Sequence, residues 1–153
     1  MKVLSIRCSN NDYTFCVISG MKESPAIEAT GHVAFPAGFS DSEALKWLHQ
    51  EMEELLRSHT PEKVVIKGTE PMVKRSNALE ARIRNEAIIS LAACQAGCAH
   101  IQKKVKATIA KDLGLKGRGK YLDTELDTSP VSGFECHTTK EQEAILAGWS
   151  CLD

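Results

Sequence analysis

Aromatic residues are scarce in this chain of 153 residues: they make up 5%, with four Phe, two Tyr and two Trp. A core built from it must therefore rest on Ile, Leu, Val and Ala. An excess of charge of either sign is also missing. The formal net charge is -1, so no global field draws the chain toward nucleic acid or an anionic membrane. Long apolar runs are absent too. No stretch approaches the roughly 18 residues of a membrane span. The start, Met1-Lys2-Val3-Leu4, reads as a strand and not as an apolar leader with a cleavage site. These absences lead to the expectation of a cytoplasmic protein with no membrane partner. Cysteine is not scarce, at six residues, but with 42% hydrophobic residues the chain has core enough to do without a disulfide framework. Reduced thiols are the expectation.

The length suits one domain spanning 1–153. Residues 3–8 and 13–19 are β-rich runs separated by Ser9-Asn10-Asn11-Asp12, a hairpin signal because Asn and Asp tolerate left-handed backbone. With Asn10-Asn11 as a two-residue turn, Cys8 faces Tyr13 and Ser5 faces Cys16. A third strand is expected near 27–35, ended by Pro36 and Gly38. Ser40 and Glu43 form a capping box for a helix whose Leu45, Leu48, Met52 and Leu55 recur at helical spacing, until Pro61 closes it. Lys63-Val64-Val65-Ile66-Lys67 has the composition of a buried parallel strand. A second helix is expected over 76–95, its later half apolar nearly all round and therefore buried, with Gly97 as its stop. A strand near 100–105 and a short helix over 106–113 follow. Residues 114–137 show little periodicity and are expected to form a mobile loop. A final helix over 139–149 opens with the capping box Thr138/Glu141, and Ala144, Ile145, Trp149 and Leu152 pack inward. A meander followed by βα alternation is an α/β fold: a mixed sheet with helices on both faces.

That order, with the local patterns, resembles the RNase H-like fold and in particular the RuvC-type Holliday junction resolvases. Residues 3–10 through Val17-Ile18 are similar to their first hairpin, in which an apolar run ends in an Asp. Residues 63–67 are similar to their fourth strand, which ends in a Glu. Val105-Lys106-Ala107-Thr108 matches a segment opening a helix, and 139–147 resembles the final helix with its Asp residues. The resemblance implies carboxylates on those elements holding two Mg²⁺ ions roughly 3.5–4 Å apart. Here Arg7 stands at the first position and Lys67 at the second, Lys140 at one helix position and only Glu143 is acidic. Unit charges at 4 Å interact by about 4 kcal/mol at an effective dielectric near 20. Cations in place of anions therefore repel a divalent metal, and a degraded site with no metal and no catalytic residue is the expectation.

Other candidates carry competing readings. Glu70 could replace a missing carboxylate, but is read first as a solvated loop residue before Pro71. Glu141 is accounted for by the cap and Asp12 by the hairpin turn, whereas no local role accounts for Glu143. Cys94, Cys98, His100, Cys136 and His137 contain metal-ligating types. Cys94 is expected at a buried helix end, however, and Cys-x₃-Cys is not the usual close pairing. His32, His49 and His59 read as ordinary strand and helix residues. Lys103, Lys104, Lys106, Lys111, Lys116, Arg118 and Lys120 make a basic segment whose Lys116–Lys120 part is a flexible cationic loop suited to a phosphate backbone. The competing reading is a solvated face balanced by Asp123, Glu125 and Asp127. No aromatic platform accompanies the lysines within 103–120, so base stacking is not indicated.

Three functions follow. The first is a non-catalytic binding or assembly module that contacts nucleic acid through Lys106, Lys116, Arg118 and Lys120, or forms a homodimer through an exposed helix face. The second is an Mg-dependent, structure-specific nuclease with a site rebuilt from Glu70 and Glu143. The third is a phosphate or small-anion binder using Arg7 and Lys67.

Overall fold

Asn10 and Asn11 do form the tip of a hairpin. The computed structural model, which describes residues 1–153, pairs β1 (Lys2–Cys8) antiparallel with β2 (Asp12–Met21). Cys8 lies opposite Tyr13 and Ser5 opposite Cys16, the register that a two-residue turn imposes. β3 (Ser24–Ala34) continues the meander. It begins earlier than the apolar pattern indicates, because Gly20 at φ 98° allows a tight turn back from β2. An alanine there would set its Cβ 2.6 Å from the Ser24 carbonyl oxygen.

The chain then alternates helix and strand: α1 (Asp41–His59), β4 (Lys63–Lys67), α2 (Asn77–Gln95), β5 (His100–Lys104), α3 (Lys106–Asp112), α4 (Lys120–Thr124) and α5 (Thr139–Trp149). Both expected capping boxes are present, at Ser40/Glu43 and at Thr138/Glu141. The single sheet has the order β3-β2-β1-β4-β5, with β4 parallel to β1 and to β5.

Side-chain alternation divides the core between the two faces of the sheet. Leu4, Ile6, Val17, Val64 and Ile66 meet Leu48, Met52 and Leu56 of α1 and Ile89, Ala92 and Ala93 of α2. Val3, Cys16, Ile18 and Val65 meet α3, α4 and α5 through Ile109, Leu122, Ala144 and Ile145. In α1 the fully buried stripe is Leu48, Met52 and Leu56, with Leu45 only half-buried.

Three expectations are corrected. The later half of α2 is not covered all round: Ala87, Leu91 and Cys94 are exposed, because only one face of that helix meets the sheet and α1. Cys94 is therefore not at a buried helix end; all six cysteines are free, and no three His, Cys, Asp or Glu side chains gather in a group that could hold a metal ion. The segment 114–137 is not all loop. It contains α4 and a 3₁₀ turn, Phe134–Cys136, and it sends Leu122, Val131 and Phe134 into the core. Isolated anchors of this kind show no period along the sequence, since each packs into a cluster assembled from distant parts of the chain.

Candidate functional site

The face of the sheet under α5 carries an unusual row. Register places His32 opposite Thr14, Thr14 opposite Arg7, and Lys67 opposite Lys104. Arg7 and Lys67 each follow directly on the last β1–β4 pair, Ile6 and Ile66. Four nitrogen bases and one hydroxyl thus cross all five strands at one end of the sheet. Lys67 and Lys104 are buried, and Arg7 and Lys106 are half-buried. Cations this far from water need compensating anions.

Each base has one, and each carboxylate comes from a different part of the chain. Arg7 donates from Nε to Oε2 of Glu143 on α5 at 2.7 Å. Lys67 donates from Nζ to Oε1 of Glu70 at 2.8 Å and to the Gly68 carbonyl at 2.9 Å. Lys104 meets Asp112 of α3 at 2.9 Å and donates to the carbonyl and hydroxyl oxygens of Ser150, both at 3.1 Å. His32 lies 3.0 Å from Asp12, which also pairs with Lys140 of α5.

Two features bring α5 close enough for this. Ser5 donates to the Ala144 carbonyl at 2.6 Å. Gly148 supplies the second: a Cβ there would stand 2.8 Å from Ile18 and 3.0 Å from the Ser5 hydroxyl. With the helix seated so low, Lys140 and Glu143, three residues apart, reach down to the sheet.

Glu70 is not a solvated loop residue. Its Oε1 accepts from Lys67 and also from the Lys106 backbone N–H at 2.9 Å, so it ties the segment after β4 to the start of α3. Burial works against its ionised form, but the bonds from Lys67 and Lys106 outweigh this and hold its carboxyl below the usual range. The same segment is tied on the other face of the sheet. Glu86 of α2, buried, accepts from the Thr69 N–H at 2.7 Å and pairs with Lys103 at 2.8 Å.

Asp12 is more than a turn residue. Burial raises its pKa, yet the bonds from Lys140, Ser9 and His32 prevail and bring it down to about 2 from an ordinary 3.8. A depressed carboxylate contributes stability that is complete above its unfolded value and is lost as pH falls through its folded value. Acid unfolding of the wild type should therefore include a component between about pH 4 and 2 that is absent in Asp12→Asn. That variant should lose on the order of 1–2 kcal/mol at neutral pH. An unchanged acid limb, followed by circular dichroism, would remove Asp12 as the clamp between β2, β3 and α5.

A small cavity of about 70 Å³ lies beside this network, among Lys67, Lys106, Asp123, Thr139, Gln142 and Glu143. Solved structures share the arrangement of strands and helices around it. RuvC from Thermus thermophilus, determined in complex with a Holliday junction substrate, superposes with a TM-score of 0.73 at 13% identity, over 98% of this chain and 91% of the other. The same resolvase alone gives 0.75. The yeast mitochondrial Holliday junction resolvase gives 0.63 at 10% identity, over 97% and 76%. The fold is RNase H-like and of the RuvC type. No protein-family model matches the sequence, and no curated protein matches it.

On a RuvC-type fold the ends of β1 and β4 and the face of α5 are where the resemblance implies metal-holding carboxylates. Arg7 and Lys67 stand at two of those positions, and the nearby carboxylates of Glu143 and Glu70 are engaged by them. Glu141 keeps its capping role and bonds His137 at 3.2 Å.

The structure also sorts the basic segment. Lys103, Lys104 and Lys106 are committed to Glu86, Asp112 and Asp123, whereas Lys111, Lys116, Arg118 and Lys120 are exposed and take part in no ion pair. The loop 116–119 runs against α3, with Gly119 so close to Lys106 that a Cβ would fall 2.7 Å from that side chain. Arg118 and Lys120 thus flank a glycine that packs on Lys106, a residue of the cavity wall. Sequence reading missed the tip of the β4–α2 loop. There Met72 has φ 67° and is fully exposed, and Val73 and the basic Lys74 and Arg75 follow it. An exposed apolar residue in a strained backbone conformation has no sequence signature beyond the Pro before it.

Proposed function

We propose that this RuvC-like domain is a non-catalytic nucleic-acid-binding module that tracks the phosphate backbone and does without Mg²⁺. The observation that carries the reading is the pair of ion pairs, Arg7–Glu143 and Lys67–Glu70, at the ends of β1 and β4. Such a cleft has no spare anionic ligands, so phosphoryl chemistry by two metals has no support from it. The binding half of the proposal is supported by the exposed, unpaired cations Lys111, Lys116, Arg118 and Lys120, and by the protruding Met72–Arg75 tip with its exposed Lys74. Exposed lysines and arginines on such segments release counterions from a phosphate backbone, which makes affinity salt-dependent and sequence-tolerant; at the tip Arg75 is paired with Glu80, which leaves Lys74 as its free cation.

Binding and cleavage of branched and linear DNA, measured while Mg²⁺ is titrated, tests both halves. The wild type should bind without divalent metal and leave every strand intact. Replacing Lys116, Arg118 and Lys120 together by Ala should weaken binding about tenfold or more, and reduce the slope of log K against log salt by about 3. Metal-dependent strand cleavage would establish the rebuilt nuclease instead, and binding indifferent to the triple substitution would remove the basic loop as the interface.

The small-anion reading is favoured by one observation. Nη1 of Arg7 and Oγ1 of Thr14, facing each other across β1 and β2, are buried and find no partner within the protein. Against it, every neighbouring cation already has its carboxylate. Uptake of phosphate at Arg7 would show as protection of the fold by phosphate beyond that given by chloride at equal ionic strength.

A further inference from the structure

Lys67 and Lys104, beside the cleft, end the strands β4 and β5, and it is at the opposite end of these strands that α1 and α2 finish. There the last turns of the two helices leave a groove of about 750 Å³ between them. Its floor is apolar: buried Leu56 and Ala92, with half-buried Pro61 and Cys98. Exposed Gln50, Glu53, Glu54 and Arg57 of α1 form one wall, and Gln95, Ala96 and Gly97 the other. His49 ties the walls together, with one ring nitrogen 2.6 Å from Oε1 of Gln95 and the other 3.6 Å from Oε1 of Glu53. The groove is therefore formed before anything enters it.

Its electrostatics have one sign. Thr60 and Ala96, which cap the C-termini of α1 and α2, both line it, so the negative ends of two helix dipoles meet there. Pro61 has no N–H to give the Arg57 carbonyl, and the Glu62 N–H turns away to Lys2. At the other helix end the carbonyls of Gln95 and Ala96 accept no backbone hydrogen bond, and the last turn of α2 carries no basic residue. Arg57, the single cation of the walls, is taken by Glu54, which leaves Glu53 without a Lys or Arg partner.

From these features we infer that the groove docks an extended basic segment of a partner protein. A Lys or Arg side chain matches both parts of it. The methylenes lie on the Leu56–Ala92 floor and the charged head reaches Glu53 and the free carbonyls, the division such side chains make between apolar and polar surroundings. An acidic segment or a phosphate backbone would meet like charge. A small cation would have to be mostly enclosed, since small-molecule sites bury roughly 70–90% of their ligand, and both walls here are exposed. A chain running along an open trough has no such need. Because the groove lies at the far end of β4 and β5 from Lys67 and Lys104, a segment held in it leaves the cleft untouched.

Fluorescence anisotropy on the full chain tests the inference, with a labelled peptide of about eight alternating Lys and Ala residues as probe and its Glu-Ala counterpart as control. At low salt the Lys peptide should bind with a Kd below about 1 mM, and the Glu peptide should not bind. Glu53→Lys with Gln95→Lys should weaken binding about tenfold or more. Glu125→Lys with Asp127→Asn makes the same change in net charge at exposed residues that do not line the groove, and should leave the affinity within about twofold. Cys98 on the floor reports position. In a Cys94→Ser, Cys136→Ser background, saturating peptide should slow its alkylation by iodoacetamide several-fold, read by mass spectrometry. A Lys peptide that fails to bind overturns the inference, as does an affinity lowered no more by the groove pair than by the control pair. Binding that leaves the Cys98 rate unaltered overturns the groove as its site. Spermidine that protects Cys98 at the same concentration as the peptide would make the occupant a free polyamine and overturn the protein partner.

Discussion

Replacing Glu143 with Ala is expected to lower the stability of the domain by roughly 2–3 kcal/mol, most of it from the cation left unpaired and little from the attraction between the two charges. The Arg7 guanidinium is only 15% exposed, Nε gives its hydrogen bond to Glu143, and Nη1 has no protein partner. Removing the carboxylate leaves a charged group in a partly buried cleft with nothing to offset its desolvation. Glu143→Gln keeps an acceptor and should cost less. The double variant Arg7→Met with Glu143→Leu removes both charges and should recover most of the loss, because an apolar pair of similar volume is commonly neutral or better than a buried ion pair. Chemical denaturation of these proteins, together with the single variants Arg7→Met and Glu143→Leu, gives the coupling energy of the pair. If Glu143→Ala proves as stable as the wild type but abolishes a metal-dependent activity, the carboxylate is a ligand and the non-catalytic reading fails.

The second large effect is expected from the reverse exchange, in which the cations are replaced by the carboxylates that the RuvC-type pattern carries. A variant with Arg7→Asp and Lys67→Glu would crowd these new carboxylates with Glu70 and Glu143, which now neutralise the two cations. Like charges in one partly buried cleft repel, so the variant should be several kcal/mol less stable than the wild type in chelator. Millimolar Mg²⁺ or Mn²⁺ should then restore it. A ligand at a hundred times its dissociation constant stabilises by about 2.7 kcal/mol, or about 5–10 °C for a domain of this size. The wild type should show no such response. A melting temperature that rises with Mg²⁺ in the wild type as much as in the variant would mean that Glu70 and Glu143 already hold a metal. Indifference of both proteins would mean that the ends of β1 and β4 do not form the metal position at all.

These two experiments separate fold from chemistry. A RuvC-type fold is compatible with either outcome, because the arrangement of strands and helices is held by the two apolar layers and not by the cleft. What the cleft contributes is the position of α5. The Ser5–Ala144 bond and the close approach at Gly148 set the helix down, and the pairs from Asp12 to Lys140 and from Arg7 to Glu143 hold its first turns.

By itself the sequence determined the five strands, the helices α1, α2, α3 and α5, and the order in which they come, but not α4 or the 3₁₀ turn within 114–137. The Asn10-Asn11 turn, the caps at Ser40 and Thr138, and the apolar run 63–67 are signals between residues close in the chain, and backbone geometry reads them without help from the rest of the fold. The resemblance built on that order also placed Arg7, Lys67 and Glu143 at one cleft. Tertiary structure alone decided which charges are free. Lys104 and Lys120 look alike in sequence. One is buried against Asp112 and Ser150, while the other is exposed over the ring of Tyr121. Glu70 reads as a loop residue until α3 brings the Lys106 N–H to it, and Cys94 reads as buried until α2 is seen to meet the sheet on one side only. An ion pair such as Arg7–Glu143 joins residues 136 apart in the chain. Its strength depends on distance and local dielectric, and both are set by how the sheet and α5 pack.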